Sequence, residues 1–164
     1  MRDIDLKIAD RGGVYVVKAR GRANFEYAVP LRELVKNLVS FERFCIDLSE
    51  CTAMDSTFMG VLTMTALKGA KSGKKVEILG ASEVLQKLLR DLGVGRLFSF
   101  AGVETAPAEL LASLTNAQND SSMLAGAETV KEAHESLVDA DRANAERFES
   151  VIKYAEADVE RLKK

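Results

Sequence analysis

The apolar residues of the first hundred positions alternate between the period of a strand and the period of a helix. Residues 4–8 alternate apolar with charged side chains, and a largely β-branched run over residues 14–19 follows a Gly-Gly pair. A short apolar period on either side of a glycine turn is typical of two strands joined by a tight turn. The chain is therefore predicted to open with an antiparallel hairpin.

From Phe25 the apolar period changes to that of a helix. The residues that share the resulting stripe are Leu31, Leu34, Val35, Leu38 and Val39. Their spacing predicts an amphipathic helix of about three turns, with Pro30 near the first turn, where its missing N–H costs little. The nearly continuous apolar run over residues 44–48 then predicts a central strand that is covered on both faces.

Two more helices and two more strands are predicted within this part of the chain. The apolar stripe over residues 59–70 predicts a helix, and residues 75–79 predict a strand. Ser82 can cap a third helix that ends before Gly93, and residues 97–100 predict an edge strand. Because strands that alternate with helices pair in parallel through right-handed crossovers, the pattern as a whole predicts a mixed sheet of the α/β class.

The pattern changes beyond residue 100. Residues 107–114 predict a short helix, and the polar residues 115–122 predict a linker. Thr129 and Glu132 have the spacing of a capping box, and neither Gly nor Pro follows, which predicts one amphipathic helix whose apolar stripe docks on another surface. The chain is thus divided into a domain of residues 1–104, a short helix and linker of residues 105–128, and a C-terminal helix of residues 129–164.

Composition and charge exclude several classes of function. The 164 residues are 47% apolar and carry a formal net charge of −2, which fits one soluble globular domain with an appendage and gives no general attraction for nucleic acid. Residues 1–119 carry a net charge of +2 and residues 120–164 a net charge of −4, so the two parts are expected to attract weakly. No cationic stretch precedes a long apolar run at the N-terminus, which predicts no signal peptide, no spanning helix and a cytoplasmic location.

Residues for catalysis or metal binding are scarce. His134 has no companion at ligand spacing and is expected on a helix surface, and Cys45 and Cys51 are expected to be small core residues. The usual glycine-rich phosphate-binding patterns are absent from the sequence. Lysines at positions 68, 71, 74 and 75 could attract a nucleotide, but lysines at a helix C-terminus are the more common reason for such a cluster. We therefore predict no enzymatic activity, no cofactor and no metal site.

The most informative segment precedes the second predicted helix. It reads Cys-Ile-Asp-Leu-Ser-Glu-Cys-Thr-Ala-Met-Asp-Ser-Thr-Phe-Met-Gly over residues 45–60. Asp55, Ser56 and Thr57 stand where that helix begins, and any of them can cap it. Since one cap suffices, three such residues in a row also indicate an exposed recognition loop with a modifiable hydroxyl.

The segment and its surroundings resemble the STAS domain of bacterial anti-sigma factor antagonists. The matching motifs, within roughly residues 3–104, are Asp47-Leu48 at the strand end, Met54-Asp55-Ser56-Thr57 followed by Gly60-Val61-Leu62, Lys74-Lys75-Val76, and Leu92-Gly93 before Leu97-Phe98. Gly21 and Asn24 also stand where the family has a Gly and, three residues later, a polar residue. The resemblance implies a STAS-type mixed sheet of four to five strands with helices packed on it, here followed by a long C-terminal helix.

The resemblance also implies a site and its partners. Ser56 would be the phosphorylated residue, with Thr57 as the alternative acceptor. The unphosphorylated domain would bind an anti-sigma factor, often itself the serine kinase, and so release a sigma factor for transcription, and a phosphatase would reset the switch. The residues expected at this partner surface are Met54, Asp55, Ser56, Thr57, Phe58 and Asn24.

Two departures from the family pattern bear on which partner is bound. Phe58 stands where many members have Gly, and Ala23 is smaller than the usual Leu. Phe58 is therefore either a core residue or an aromatic anchor for a partner. A rival hypothesis makes the chain a scaffold or oligomerisation subunit of a signalling or lipid-transport assembly. In that case the C-terminal helix pairs in a homodimer or folds back on its own domain.

Overall fold

The opening hairpin forms as the alternation of residue types predicts. Strands β1 (Leu6–Arg11) and β2 (Val14–Ala19) pair antiparallel. Gly12 and Gly13 in the turn have φ of 56° and 84°, a conformation that residues with a Cβ rarely adopt. The computed structural model describes residues 4–118, 120 and 122–164.

The chain then alternates strands with helices. In order these are β3 (Gly21–Ala23), α1 (Phe25–Asn37), β4 (Arg43–Asp47), β5 (Cys51–Met54), α2 (Ser56–Ala70), β6 (Val76–Leu79), α3 (Glu83–Asp91) and β7 (Phe98–Ala101). Strands β2, β4, β6 and β7 are parallel neighbours, and β1 adds the antiparallel strand. The structure thus confirms the predicted mixed α/β sheet with β7 at its edge.

Two details of this region differ from the prediction. Pro30 lies inside α1 and is buried, one turn later than expected, because the helix already begins at Phe25. Residues 51–54, for which no strand was predicted, form β5, which pairs in parallel with β3 in a separate two-stranded sheet. Strands this short carry too few residues to show a period, so their pairing was not visible in the sequence.

A sixth strand occupies the other edge of the main sheet. After the short helix α4 (Ala108–Leu111), strand β8 (Thr115–Asn116) pairs antiparallel with β1. The predicted linker therefore begins as a strand, because the unpaired N–H and C=O groups of a sheet edge can bind an extended polar segment. Residues 119 and 121 of that linker lie outside the described residues.

The C-terminal quarter of the chain forms a helical hairpin instead of one helix that begins at residue 129. Its helices are α5 (Met123–Ala140) and α6 (Asn144–Lys163), and α6 is the long C-terminal helix of the predicted fold class. The Ser122 hydroxyl caps α5, whereas the Thr129 hydroxyl donates to a carbonyl one turn back in the helix interior. The capping-box spacing therefore predicted the wrong start for the helix. A Thr inside a helix can donate its hydroxyl hydrogen to the carbonyl four residues earlier, so it need not be a cap.

The hairpin docks on its own chain. Helix α5 lies against both α2 and α1, and α6 lies against α5. Ala133, Leu137 and Phe148 belong to the main core cluster, and of these Phe148 is a member of the predicted apolar stripe. At the start of α6 the buried Asn144 amide donates to the carbonyls of Leu92 and Leu137, which ties the hairpin to the end of α3.

The two faces of the main sheet are covered unequally. One face, which includes Val17, Phe44 and Ile78, packs in the core with the helices. On the other face Val16 and Cys45 form a smaller cluster with α4. Both cysteines are free and buried as predicted, and burial raises the pKa of Cys45 to about 11. No helix in the described part of the chain has the length and apolar character needed to cross a bilayer.

Candidate phosphorylation and partner-binding site

The residues predicted to form the site meet at the N-terminal end of α2. Asp55 is the N-cap of that helix, and its Oδ1 accepts a hydrogen bond from the N–H of Phe58 at 2.8 Å. Its Oδ2 accepts from the N–H of Phe25, the first residue of α1, at 2.7 Å. One carboxylate therefore joins the beginnings of two helices, and the capping interpretation of this segment is confirmed for Asp55.

Asn24 belongs to the same junction. It is the N-cap of α1, and its side-chain oxygen accepts from the N–H of Glu26 at 3.0 Å. The N–H of Asp55 donates to the carbonyl of Ala23, so the two capping residues follow paired strands, β3 and β5. The N-terminal ends of α1 and α2, with their partial positive charge, consequently lie side by side.

Ser56 is the first residue of α2 and is half-buried. Its Oγ lies 2.8 Å from Nε2 of His134 in α5, and Nδ1 of that ring lies 2.7 Å from the carbonyl oxygen of Val130. Because a carbonyl oxygen can only accept, Nδ1 carries the hydrogen. In the neutral ring Nε2 then accepts the hydrogen bond that the Ser56 hydroxyl donates.

His134 is buried, which corrects the prediction of a helix surface residue. Only 2% of it is exposed, and its ring makes an edge contact with Phe148 of α6 at 4.8 Å between centroids. Burial lowers the pKa of His134, although the charge of Asp55 opposes that shift. The polar residues around it suggested exposure, but α5 packs against α2 on one side and α6 on another.

Three other residues of the predicted partner surface are buried. Phe58 is fully buried and meets the ring of Tyr27 edge-on, while Met54 and Thr57 are 9% and 7% exposed. Of the two alternatives for Phe58, the structure shows the core residue. The first turn of α2 supplies core side chains, and Met54 lies in β5 and not in a loop. Of the two candidate hydroxyls, that of Ser56 is the more accessible.

The first turns of α2 lie close under α5. A Cβ on Gly60 would lie 2.6 Å from the Cβ of Ala133 and closer still to its carbonyl oxygen, so only glycine permits this approach. The family motif placed Gly60 after the site, but its role as the contact point for a second helix was not visible from the sequence.

A charge cluster holds α5 on α1. Arg32 donates to Glu132 at 2.8 Å and to Glu33 at 3.0 Å, and Lys36 lies 3.3 Å from Glu132. Burial works against the charged form of Arg32, but the hydrogen bond and charge of Glu132 outweigh it and raise the pKa of Arg32. Burial likewise acts against ionised Glu132, and the two cations outweigh it and lower the pKa of Glu132. The sequence signal for this contact is the matching spacing of the charges. The two cations of α1 lie one helical turn apart, and so do Glu128 and Glu132 of α5.

Other candidate chemistry has a structural explanation. Lys68, from the lysine cluster, donates to the carbonyls of Val35 and Leu38, both at 2.6 Å, at the end of α1. A lysine at a helix C-terminus satisfies free carbonyls, so no phosphate is needed to explain its place. Within the described residues no three or more His, Cys, Asp or Glu side chains are grouped so that they could hold a metal ion.

The comparisons with known proteins agree with this architecture. Residues 7–105 match the family model described as Mlab, STAS domain. The chain belongs to the STAS domain family. The matched residues of this STAS domain include all of the candidate site except His134 and the acids of α5. No protein with a curated description matches the chain.

Solved structures show the same fold at low identity. The unphosphorylated anti-sigma factor antagonist SpoIIAA has 10% identity and a TM-score of 0.50, over 66% of this chain and 94% of its own. An anti-sigma factor antagonist from Mycobacterium paratuberculosis has 20% identity and a TM-score of 0.52, over 68% and 93%. A sulfate transporter family protein from Wolinella succinogenes has 20% identity and a TM-score of 0.50, over 62% and 88%. These identities show the fold alone.

Proposed function

We propose that this STAS domain binds an anti-sigma factor of the serine kinase type and that phosphorylation of Ser56 switches the binding. The half-buried Ser56 hydroxyl at the start of α2 is the observation that carries the proposal. The protein would act in the cytoplasm, regulate sigma-dependent transcription without touching nucleic acid, and be reset by a phosphatase. It binds and is modified, and performs no catalysis itself. Thr57 remains the alternative acceptor.

The position of Ser56 suits a charge switch. A phosphate adds about −1.5 to −2 charges at neutral pH, and free N–H groups of a helix's first turn stabilise such a charge. The fold can therefore tolerate the modification. In an interface the same charge must lose its water, and a difference of about 1.4 kcal/mol already changes affinity tenfold. The expected result is weaker partner binding with little change in the domain.

The test uses the full chain, a purified anti-sigma serine kinase and ATP, with mass spectrometry to locate phosphate. We expect phosphate on Ser56, none on Ser56→Ala, and unchanged incorporation in Thr57→Val, which keeps the buried shape of Thr57. Ser56→Asp should lower kinase affinity at least tenfold while the thermal transition of the sheet stays in place. Modification of neither hydroxyl, or equal kinase affinity of Ser56→Asp and wild type, would contradict the proposal.

A scaffold role is the second candidate. It is favoured by the helical hairpin, which lies beyond the matched residues 7–105 and supplies helix faces that could pair between copies. The same kinase experiment separates the two, because a scaffold needs no phosphate on Ser56. Light scattering of the full chain would then give a dimer for the scaffold role, with the hairpin as the pairing element.

A further inference from the structure

The helical hairpin covers part of the STAS domain without belonging to it. The family match ends at residue 105, whereas α5 begins at Met123. The face that α5 covers is formed by α1 and the first turns of α2, which also carries Ser56. Because α5 packs on the face that carries Ser56, its contacts show which kind of helix this face can bind.

The shape of the face suits a helix with a small residue at its centre. Gly60 has no side chain on the face of α2 that meets α5, and Ala133 of α5 packs directly against the backbone there. Ala133 and Leu137, one turn apart, are both fully buried there. Helices approach this closely only where small side chains face each other, so a larger residue at the position of Ala133 would be rejected.

The charge of the face suits an acidic helix. The Arg32 side chain is 4% exposed, and apart from Glu33 of its own helix its acidic partners, Glu128 and Glu132, come from α5. Removing one partner of a buried ion pair is strongly destabilising, so a helix that covers Arg32 in place of α5 is expected to bring a carboxylate in place of Glu132. Among the described residues, Nε of Arg32 has no hydrogen-bond partner, which leaves one donor that α5 does not use.

The third contact involves the switch itself. His134 of α5 accepts from the Ser56 hydroxyl while buried and neutral. A phosphate on Ser56 would replace this hydrogen bond and bring a dianion against the acidic helix. The same modification would therefore oppose α5 and any acidic helix that takes its place.

We propose that the α1–α2 face of this STAS domain is a binding site for an acidic amphipathic helix of a protein partner, and that α5 occupies this site until the partner displaces it. The inference rests on the proposed function in that it assumes a protein partner, but it requires neither a kinase nor phosphate. The partner helix presents a small residue to Gly60 and a carboxylate to Arg32 and Lys36.

The test weakens docking of α5 within the full-length chain and then adds α5 as a separate peptide. Two full-length variants weaken docking of α5: Leu137→Asp places a charge in the core, and Glu132→Lys reverses the charge beside Arg32. The probe is a fluorescent peptide of residues 122–141. We expect both variants to bind it at least tenfold more tightly than wild type, whose face is occupied. Glu160→Lys, the same charge reversal on the exposed end of α6, should bind like wild type.

A second peptide checks the chemistry of recognition. The peptide with Glu132→Lys should bind the Leu137→Asp chain at least tenfold more weakly than the natural peptide, because Arg32 and Lys36 repel it. Hydrogen exchange across β4 and β6 must stay slow in the opened variants, which shows that the sheet is intact. If Leu137→Asp loses that protection, Glu132→Lys carries the test, since Glu132 is only half-buried.

Three outcomes would overturn the inference. They are faster exchange of α5 in a variant that still binds no peptide, equal binding of the two peptides, and wild-type binding as tight as that of the variants. None of these depends on Ser56. A chain that binds the peptide but is not phosphorylated would contradict the proposed switch and leave the helix-binding site standing.

Discussion

We expect His134 to make docking of the hairpin sensitive to pH. Its ring accepts a hydrogen bond from Ser56 only while neutral, and burial lowers its pKa below the ordinary value of 6.5 despite the charge of Asp55. A group whose folded pKa is depressed binds its proton more readily when released. The docked state is therefore fully stable above pH 6.5 and loses stability as the pH falls from 6.5 towards the folded pKa.

The measurement is hydrogen exchange of α5 at pH 7.5 and 5.5, corrected for intrinsic rates. We expect faster opening of α5 at the lower pH in wild type but not in His134→Gln, which keeps an acceptor and does not titrate. Burial raises the pKa of Glu135 in α5, so this residue can only slow the opening as the pH falls. Glu132 does not contribute to this difference. Its pKa is lowered, so the stability that it gives to the docked state is lost only below its ordinary pKa of 4.5. Equal opening of wild type at both values would contradict this role of His134.

Residue roles were the hardest feature to predict. Asp55 could be recognised as a cap because capping depends on the neighbouring N–H groups alone. The hydrogen bond between Ser56 and His134 depends on a helix that begins about seventy residues later in the chain. A single sequence carries no signal for such a distant contact unless opposite charges recur at the same spacing on two helices. Arg32 and Lys36 on α1 have the same four-residue spacing as Glu128 and Glu132 on α5.

Among the elements, α2 depends on Asp55 for its beginning. Asp55→Asn keeps an acceptor for Phe58 but loses the one for Phe25, and Asp55→Ala loses both. We expect the free energy of unfolding in urea to fall by about 1 kcal/mol for Asn and about 2 kcal/mol for Ala.

Ser82→Ala is the matched control, since Ser82 caps α3 through one bond, to Leu85. Its loss should be about 1 kcal/mol. A loss for Asp55→Ala no larger than that of Ser82→Ala would show that the link from Asp55 to α1 adds nothing.

Elements whose period or cap is visible in consecutive residues were predicted well. Short strands that form only by pairing with residues distant in the sequence were not. The β1–β2 hairpin, α1 and α3 each carry a period or a cap in consecutive residues. The strands β3, β5 and β8 have three, four and two residues, and each exists only through a partner elsewhere in the chain. The C-terminal helix was predicted from its stripe, but the break near Asp141 uses a side-chain turn to Ala143 and needs neither Gly nor Pro.

For the whole molecule, Gly60 decides whether domain and hairpin form one unit. Gly60→Ala favours the helix α2 by about 1 kcal/mol but forces a methyl group into the backbone of α5 at Ala133. We expect exchange in α5 and α6 to rise at least tenfold, while exchange in β4 and β6 stays unchanged.

Gly126→Ala is the control for that experiment. Its added Cβ would meet only the Phe25 ring, at 3.2 Å, and this ring is 41% exposed and free to move. Because Ala also favours the helix α5 itself, exchange in α5 should be no faster than in wild type. Equal acceleration by the two substitutions would contradict the role of the close approach at Gly60.

The charge division of the chain has one clear location in the structure. The positive part, residues 1–119, and the negative part, residues 120–164, meet where Arg32 and Lys36 face Glu132. The division into residues 1–104, 105–128 and 129–164 stays a prediction. Its last segment, residues 129–164, contains the last two thirds of α5 followed by α6.

The two-residue strand β8 shortens the connection between the sheet and the hairpin. It holds Asn116 on β1, and the N–H of Ala117 donates to the carbonyl of Leu6, so residues 118–122 connect the sheet edge to Met123. A short tether gives α5 an effective concentration on the order of millimolar at its own face. A partner helix at micromolar concentration must therefore bind about a thousandfold more tightly than α5 to reach half occupancy. Detachment of β8 from β1 lengthens the tether and lowers that threshold.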